Sequence, residues 1–156
     1  MQETESVTHG ELTLQAARAD ELEGLVDVRI EAMRESLERI GRFDPERARQ
    51  RFASGFVPEL TRHIVVHEER VGFVTVRPAA ESLVLDHLYV RPQHQGRGIG
   101  SVVLGIVFRE ADAAGLPIRV GALRGSASNR FYLRHGFIQV EEAEWDVYYV
   151  RREPER

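Results

Sequence analysis

The stretch from Leu88 to Ser101 contains the residues whose types and spacing point most directly to chemistry. Gly96, Gly98 and Gly100 stand at alternate positions between an apolar segment and a long amphipathic one. Glycine lets the backbone curl so that several N–H groups point one way, and no Cβ keeps an anion at a distance. At a helix N-terminus such a turn is typical of a phosphate site, and pyrophosphate is the natural ligand. The side chains that could add contacts are those of Gln95, Arg97 and Ser101.

The glycine spacing argues against two familiar nucleotide sites. Dinucleotide sites use Gly-x-Gly-x-x-Gly with an acidic residue about 20 positions later. This chain has Gly-x-Gly-x-Gly, and the segment Ile118–Leu123 contains no acidic residue. All 21 basic residues are arginine, which excludes the lysine of a Walker-type loop. A tight strand-to-helix turn without any ligand stays open as the alternative at this point.

Composition excludes further classes of protein. The absence of cysteine excludes disulfides, thiolate metal sites, iron–sulfur clusters and a cysteine nucleophile, and no other cluster has metal-ligand spacing. A formal net charge of -4 argues against general nucleic-acid affinity. No apolar run approaches the ~20 residues that span a membrane, and the segment Met1–Gly10 has no apolar core of a secretory signal. We therefore expect a soluble cytoplasmic protein with no metal, nucleic-acid or membrane partner.

Strand-like and helix-like segments alternate along the chain and predict a single α/β domain over residues 1–156, with residues 1–10 a flexible arm and 152–156 a charged tail. The predicted strands are Leu12–Ala17, Ile64–His67, Val71–Val76, Leu83–Val90, Ile118–Leu123, Phe137–Val140 and Trp145–Val150. The predicted helices run from an Asp20 cap to about Glu38, from Asp44-Pro45 through Phe52, over Gly98–Ala114, and from a Ser126 cap to Gly136.

Two motifs in this order resemble the GNAT superfamily of N-acetyltransferases. Gln95, Gly98 and Gly100 match the family's acetyl-CoA loop, Gln/Arg-x-x-Gly-x-Gly/Ala, and Phe131-Tyr132-x-x-x-Gly136-Phe137 matches its second signature. The resemblance covers the chain from about Leu12 to Arg151. It implies a mixed, mostly antiparallel sheet of about seven strands with about four helices, splayed between the fourth and fifth strands.

The resemblance also assigns acetyl-CoA, the co-substrate, to particular residues. It implies that the pyrophosphate binds at the turn formed by Gln95, Gly96, Arg97, Gly98, Ile99, Gly100 and Ser101. It also implies that the pantetheine arm binds along the fourth strand, at Leu88, Tyr89 and Val90, where an exposed strand edge can pair with it through the main chain. A backbone N–H near Leu88 would stabilise the charge that develops on the carbonyl oxygen.

Tyr132 and Asn129 are the candidates on the last helix. The resemblance gives Tyr132 the role of general acid that protonates the departing thiolate. A phenol of pKa ~10 protonates a thiolate of pKa about 8.5 only uphill, so the gain is modest. The alternative is that Tyr132 only packs beneath the cofactor. Asn129 lies on the same helix face and is expected to contact the cofactor, although the family's usual asparagine position holds Ser126 here.

His87 on the fourth strand is the candidate general base, because histidine titrates near neutral pH. Glu31 and Glu35 of the first helix, or water, are the alternatives.

The expected reaction is direct attack of a primary amine on acetyl-CoA in a ternary complex, and the acceptor is a small amine or a protein N-terminus. The alternative is a catalytically silent acyl-CoA-binding or sensor module. A homodimer is also compatible with the resemblance. Possible acceptor-lining residues are Arg34, Arg42, Phe43, Phe56, Trp145 and Tyr148.

Overall fold

The computed structural model describes residues 9–153. These residues form two compact units. Among the described residues, the first unit comprises 9–75 together with His87–Val103, and the second comprises Val76–Asp86 and 104–153. Among the described helices none combines the length and apolar character needed to cross a membrane.

Seven strands and four α-helices follow one another in residues 9–153. The strands are β1 Leu12–Ala16, β2 Thr61–Val66, β3 Glu69–Pro78, β4 Leu83–Val90, β5 Ile118–Leu123, β6 Ile138–Glu142 and β7 Asp146–Arg151. The helices are α1 Leu22–Arg39, α2 Pro45–Ser54, α3 Ile99–Ala114 and α4 Ala127–Arg134. The predicted α/β class and element order are confirmed.

The strands form a mostly antiparallel sheet in the order β1-β2-β3-β4-β5-β7-β6. The pairs β1–β2, β2–β3, β5–β7 and β6–β7 are antiparallel. β4 and β5 are parallel, and Leu83–Leu85 of β4 lies opposite Ile118–Val120 of β5. A parallel pair needs a long crossover, and α3 provides it, so the segment between β4 and α3 lies at the carboxyl end of a strand.

The structure corrects a predicted helix cap and a predicted turn, and several strand ends differ from the predicted ones by one to three residues. Asp20 does not cap α1; it lies in a short 3-10 turn, Ala19–Glu21, and Glu21 occupies the N-cap position instead. The predicted strands Ile64–His67 and Val71–Val76 leave residues 68–70 for the turn between them. Instead His67 and Glu68 are the turn, with φ of 50° and 66°, and β3 begins directly after them. A two-residue hairpin with both turn residues in the left-handed region suits the twist of the flanking strands, which is why the turn is so short.

The core of the first unit is formed by one face of α1, by α2 and by the sheet. Leu25, Val26, Phe52 and Phe73 are each at most 3% exposed. The ring of Phe52 packs against that of Phe73 with centroids 5.5 Å apart. α2 can present this ring because its N-terminus is well defined: the carboxylate of Asp44 accepts a hydrogen bond from the N–H of Arg47, as the sequence predicts for a cap before proline.

The core of the second unit lies around α3, α4 and the strands β5 and β7. Val107, Ile118, Phe137 and Tyr149 are at most 2% exposed. Aromatic contacts connect the elements: the Phe108 and Phe137 centroids are 5.8 Å apart. By contrast every residue of β6 is exposed. The second unit is therefore well packed around α4 and open along β6.

Candidate functional site

The turn between β4 and α3 is fixed by its backbone at the first residue after β4. The N–H of Arg91 donates to the carbonyl of Val71 in β3 at 2.8 Å, and the carbonyl of Arg91 accepts from the N–H of His94 at 2.8 Å. A single 3-10 turn, Pro92–His94, follows. The glycine-rich part thus starts from an anchored point in the first unit.

Gly96 and Gly98 give the turn its curl. Their φ values are +82° and +76°, a left-handed conformation that residues with a Cβ rarely adopt. A Cβ added at either position would have no heavy atom within 4 Å. Glycine is therefore required here by the backbone conformation and not by crowding, and the space beside both residues is open to a ligand.

The amides that follow belong to the first turn of α3. The first hydrogen bond of this helix runs from the N–H of Val102 to the carbonyl of Gly98, at 3.1 Å. The amides of Gly98, Ile99 and Gly100 precede that bond, so the helix's own hydrogen-bond ladder does not use them. Amides in this position, together with the helix dipole, favour an anion. The arrangement fits the diphosphate that the sequence predicts here.

Two side chains of the turn are held by neighbours. Gln95 donates from Nε2 to the carbonyl of Val90 at 2.9 Å, which ties the turn back to the end of β4. The side chain of His94 is 15% exposed, and its Nε2 lies 3.5 Å from Oε1 of Glu69. Its Nδ1 lies 3.4 Å from Nη1 of Arg97. His94 therefore stands between a carboxylate and the guanidinium expected at the phosphates.

Gly72 of β3 is a residue that the motif-based predictions missed. A Cβ at Gly72 would lie 2.1 Å from the carbonyl oxygen of Tyr89 and 3.0 Å from Cα of Val90. No side chain fits in that space, so glycine lets β3 approach the part of β4 that is expected to bind pantetheine. The available signal was a glycine inside a strand pattern, which marks close backbone approach.

His87 and Tyr89 lie on one face of β4, as strand alternation requires. The His87 ring centroid is 5.1 Å from that of Phe52 and 5.7 Å from that of Tyr89, and His87 Nδ1 lies 3.5 Å from the Tyr89 hydroxyl. Both side chains are partly buried. Asp86 precedes them and pairs with Arg77, the two charged atoms 2.7 Å apart. The imidazole thus packs within an aromatic cluster of the first unit.

Tyr132 is buried in the second unit. Its side chain is 6% exposed, and its ring centroid is 5.2 Å from that of Phe137 and 6.2 Å from that of Tyr149. The helix that carries it begins after Ser126, which is the N-cap as predicted, although its side chain makes no capping hydrogen bond. The position of Tyr132 is therefore set by aromatic packing.

Asn129 is engaged on both sides of its amide. Its Nδ2 donates to the carbonyls of Leu123 and Ser126, at 2.9 and 3.0 Å, and its Oδ1 accepts from the hydroxyl of Tyr149 at 2.8 Å. Burial, assisted by the negative charge of Glu142, raises the pKa of Tyr149 and keeps the phenol a donor. A contact of Asn129 with CoA stays a prediction, and it would have to share or replace these bonds.

A family model and several solved structures are similar to this chain. The family model Acetyltransferase (GNAT) domain matches residues 59–139, just over half of the chain. No curated protein sequence matches the chain. The PaiA N-acetyltransferase of Thermoplasma acidophilum, crystallised with coenzyme A, is a solved structure similar to this chain, with a TM-score of 0.75 at 17% identity over 91% of this chain and 99% of that one.

Two further solved structures show the same fold. PH1933 of Pyrococcus horikoshii has a TM-score of 0.74 at 18% identity, over 92% of this chain and 99% of that one. An acetyltransferase of Thermus thermophilus has a TM-score of 0.69 at 23% identity, over 91% and 97%. The family match covers the glycine-rich turn and the segment of Tyr132. The chain belongs to the GNAT acetyltransferase family and is by class an acyltransferase.

Proposed function

We propose that this chain transfers an acetyl group from acetyl-CoA to a primary amine by direct attack in a ternary complex. The observation that carries the proposal is the turn from Gly96 to Gly100. The first amides of α3 lie before its first internal hydrogen bond, and the space beside Gly96 and Gly98 is open. A diphosphate supplies the negative charge that such a turn favours. The PaiA structure, which contains coenzyme A, has the same fold and supports the choice of ligand.

The remaining residues of the proposed CoA site lie next to this turn. Leu88, Tyr89 and Val90 end β4 immediately before it, and their main chain would pair with the amide groups of pantetheine. Gly72 supports the proposal because it holds β3 against this part of β4. Arg97 and Ser101 would add side-chain contacts to the phosphates.

The proposed reaction needs one bond to form and one to break. The amine nitrogen attacks the thioester carbonyl carbon, a C–N bond forms and the C–S bond breaks. The amine gives a proton to a base, and the CoA thiolate takes one from Tyr132 or water. The chain contains no cysteine, so a cysteine acyl-enzyme cannot carry the acetyl group.

His87 is the proposed base. It belongs to the strand expected to lie along the thioester, and its ring is held by Phe52 and Tyr89. We expect His87→Ala to flatten the acidic limb of the kcat/KM profile with pH. An acidic limb that does not move would remove His87 from the mechanism and leave water or a carboxylate of α1 as the base.

The acceptor is proposed only as a class, a small amine or a protein N-terminus. The first unit contains a cavity of about 520 Å³ lined by Arg34, Glu38, Gly41 and Phe43, at the end of α1. The guanidinium of Arg34 lies over the Phe43 ring, 4.7 Å from its centroid. The Nε of Arg34 also lies 3.7 Å from Oε1 of Glu38, so the guanidinium engages both the carboxylate and the aromatic face. An amine panel should therefore include amino acids, whose carboxylate an arginine can bind, beside diamines.

Release of the CoA thiol from acetyl-CoA in the presence of each amine tests the proposal. We expect release that depends on at least one amine, with acetylated amine formed in equal amount. Binding of acetyl-CoA without release on any amine would favour the alternative, an acyl-CoA sensor. The cytoplasmic location and the homodimer stay predictions from the sequence.

A further inference from the structure

An ion pair joins the middle of α1 to the first residue after β4, and the chemistry proposed above does not use it. Nη1 of Arg91 lies 2.9 Å from Oε2 of Glu31, and the two side chains are 31% and 36% exposed. The residues are 60 positions apart in the sequence, so the pair joins elements that local hydrogen bonds cannot join. A charged hydrogen bond of this length between partly covered groups is stronger than one between fully solvated side chains.

Arg91 is fixed by its backbone as well as by this pair. Its N–H donates a hydrogen bond to the carbonyl of Val71, and its carbonyl accepts one from the N–H of His94, each at 2.8 Å. The following Pro92 restricts Arg91 to an extended conformation, and its φ and ψ are -55° and 139°. The backbone of Arg91 is hydrogen-bonded to β3 and its guanidinium is paired with α1, and the glycine-rich turn begins directly after this residue.

A second ion pair of α1 provides a contrast. Glu23 binds Arg49 of α2, with Nε of the arginine 2.9 Å from Oε1 of the glutamate. That pair also joins two elements, but neither element leads into the glycine-rich turn. It therefore contributes to the packing of α1 on α2, whereas Glu31 acts on the start of the turn.

Resting on the proposed function, we propose that Glu31 and Arg91 are positioning residues for acetyl-CoA. Their ion pair holds the start of the turn against α1, so that the amides from Gly98 onward are in place before the diphosphate arrives. Because less order has to be created on binding, the pair increases affinity for CoA. Arg91 acts through the turn and does not contact the phosphates, since its guanidinium faces Glu31.

Isothermal titration of acetyl-CoA into the wild-type protein, Glu31→Gln, Arg91→Gln and the double variant tests this. We expect each single variant to raise Kd about two- to fivefold, which is the range for a partly exposed ion pair. The Kd of the double variant should be no higher than that of either single variant, because each substitution already breaks the same ion pair. Arg91→Lys should recover part of the affinity, because it keeps the positive charge that faces Glu31.

Glu23→Gln is the matched control, since it breaks an ion pair of the same helix away from the turn. It should lower the melting temperature and leave the Kd for acetyl-CoA unchanged. Weaker binding in the control too would mean that general loss of stability explains the effect, and the inference would be wrong.

Other outcomes would also overturn the inference. If Arg91→Gln weakens binding while Glu31→Gln tightens it, Arg91 contacts the phosphates directly and Glu31 only competes for it. Unchanged Kd in both single variants would remove any role of the pair. A wild-type protein that binds no acetyl-CoA would instead contradict the proposed function itself, and the inference with it.

Discussion

The two GNAT signatures of this chain are built in different ways. In the glycine-rich turn of the first unit, Gly96 and Gly98 are exposed, and the groups available to a ligand are backbone amides. In the α4 segment of the second unit, Tyr132 and Phe137 are 6% and 2% exposed, and the side chains pack on one another. One signature specifies a backbone conformation, and the other specifies an aromatic packing arrangement.

This difference decides how each signature responds to substitution. A backbone site tolerates many side chains but not a change of φ or a charge placed beside the amides. A packed site tolerates only changes that keep volume and hydrogen bonds. Substitutions in the turn should therefore change ligand affinity, and substitutions around α4 should change stability first.

The largest effect is expected from Gly98→Glu. It forces a side chain into the left-handed region and places a carboxylate beside the amides, so that affinity for acetyl-CoA should fall by at least about 100-fold. Gly115→Glu is the matched control, because Gly115 also has a positive φ, +69°, and a Cβ there would have no heavy atom within 4 Å. Both variants should lose similar stability, and only Gly98→Glu should lose CoA binding in a calorimetric titration. Equal affinities for CoA would contradict the assignment of the turn.

Local patterns explain which features the sequence could predict. The Asp44 cap, the Pro45 start and the glycines of the turn depend on neighbours within a few residues, and all were predicted. The same kind of evidence assigns Asp20 as a cap, and that prediction is wrong. The carboxylate of Glu21 accepts the N–H of Arg18 at 2.8 Å, Glu21 takes the N-cap position, and the helix starts one residue later than predicted. Local competition between two acidic residues is not decided by residue type alone.

Features that join distant segments could not be predicted. The Glu31–Arg91 pair and the Glu69–His94 contact depend on how β3, β4 and α1 meet. For Gly72 the pattern gave a signal, a glycine in a strand, but the Tyr89 carbonyl it accommodates is known only from the fold. The predicted site therefore contains the turn and lacks the contacts that hold it in place.

Asn129→Ala is expected to have the next largest effect. It removes the partner of the Tyr149 hydroxyl and the donor to two carbonyls, and should lower the free energy of unfolding by about 2 kcal/mol. Urea denaturation measures this, and Ser128→Ala, an exposed neighbour on α4, should have almost no effect. A loss of CoA affinity in the folded Asn129→Ala protein would support the predicted cofactor contact. Unchanged stability would show that these bonds do not hold α4 in place.

Tyr132→Phe separates catalysis from packing in the second signature. The ring and its contact with Phe137 are kept, so stability and affinity for acetyl-CoA should change little. If the phenol protonates the thiolate, kcat should fall about tenfold, a modest loss because the transfer is uphill. Full turnover in Tyr132→Phe would reduce the second signature to packing alone.

The smallest effect is expected in the pH dependence of stability on the α4 side. Burial, with the nearby charge of Glu142, raises the pKa of Tyr149 above the usual value for a phenol, ~10. A raised pKa in the folded state means that the neutral phenol stabilises the protein fully below about pH 10 and that this contribution is lost as pH rises through the folded pKa. The wild-type protein should therefore lose more stability between about pH 9 and about pH 11 than Tyr149→Phe, measured by urea denaturation at each pH. Parallel losses in the two proteins would mean that Tyr149 is solvated in the folded state, and the α4 signature would then be less tightly packed than its aromatic contacts indicate.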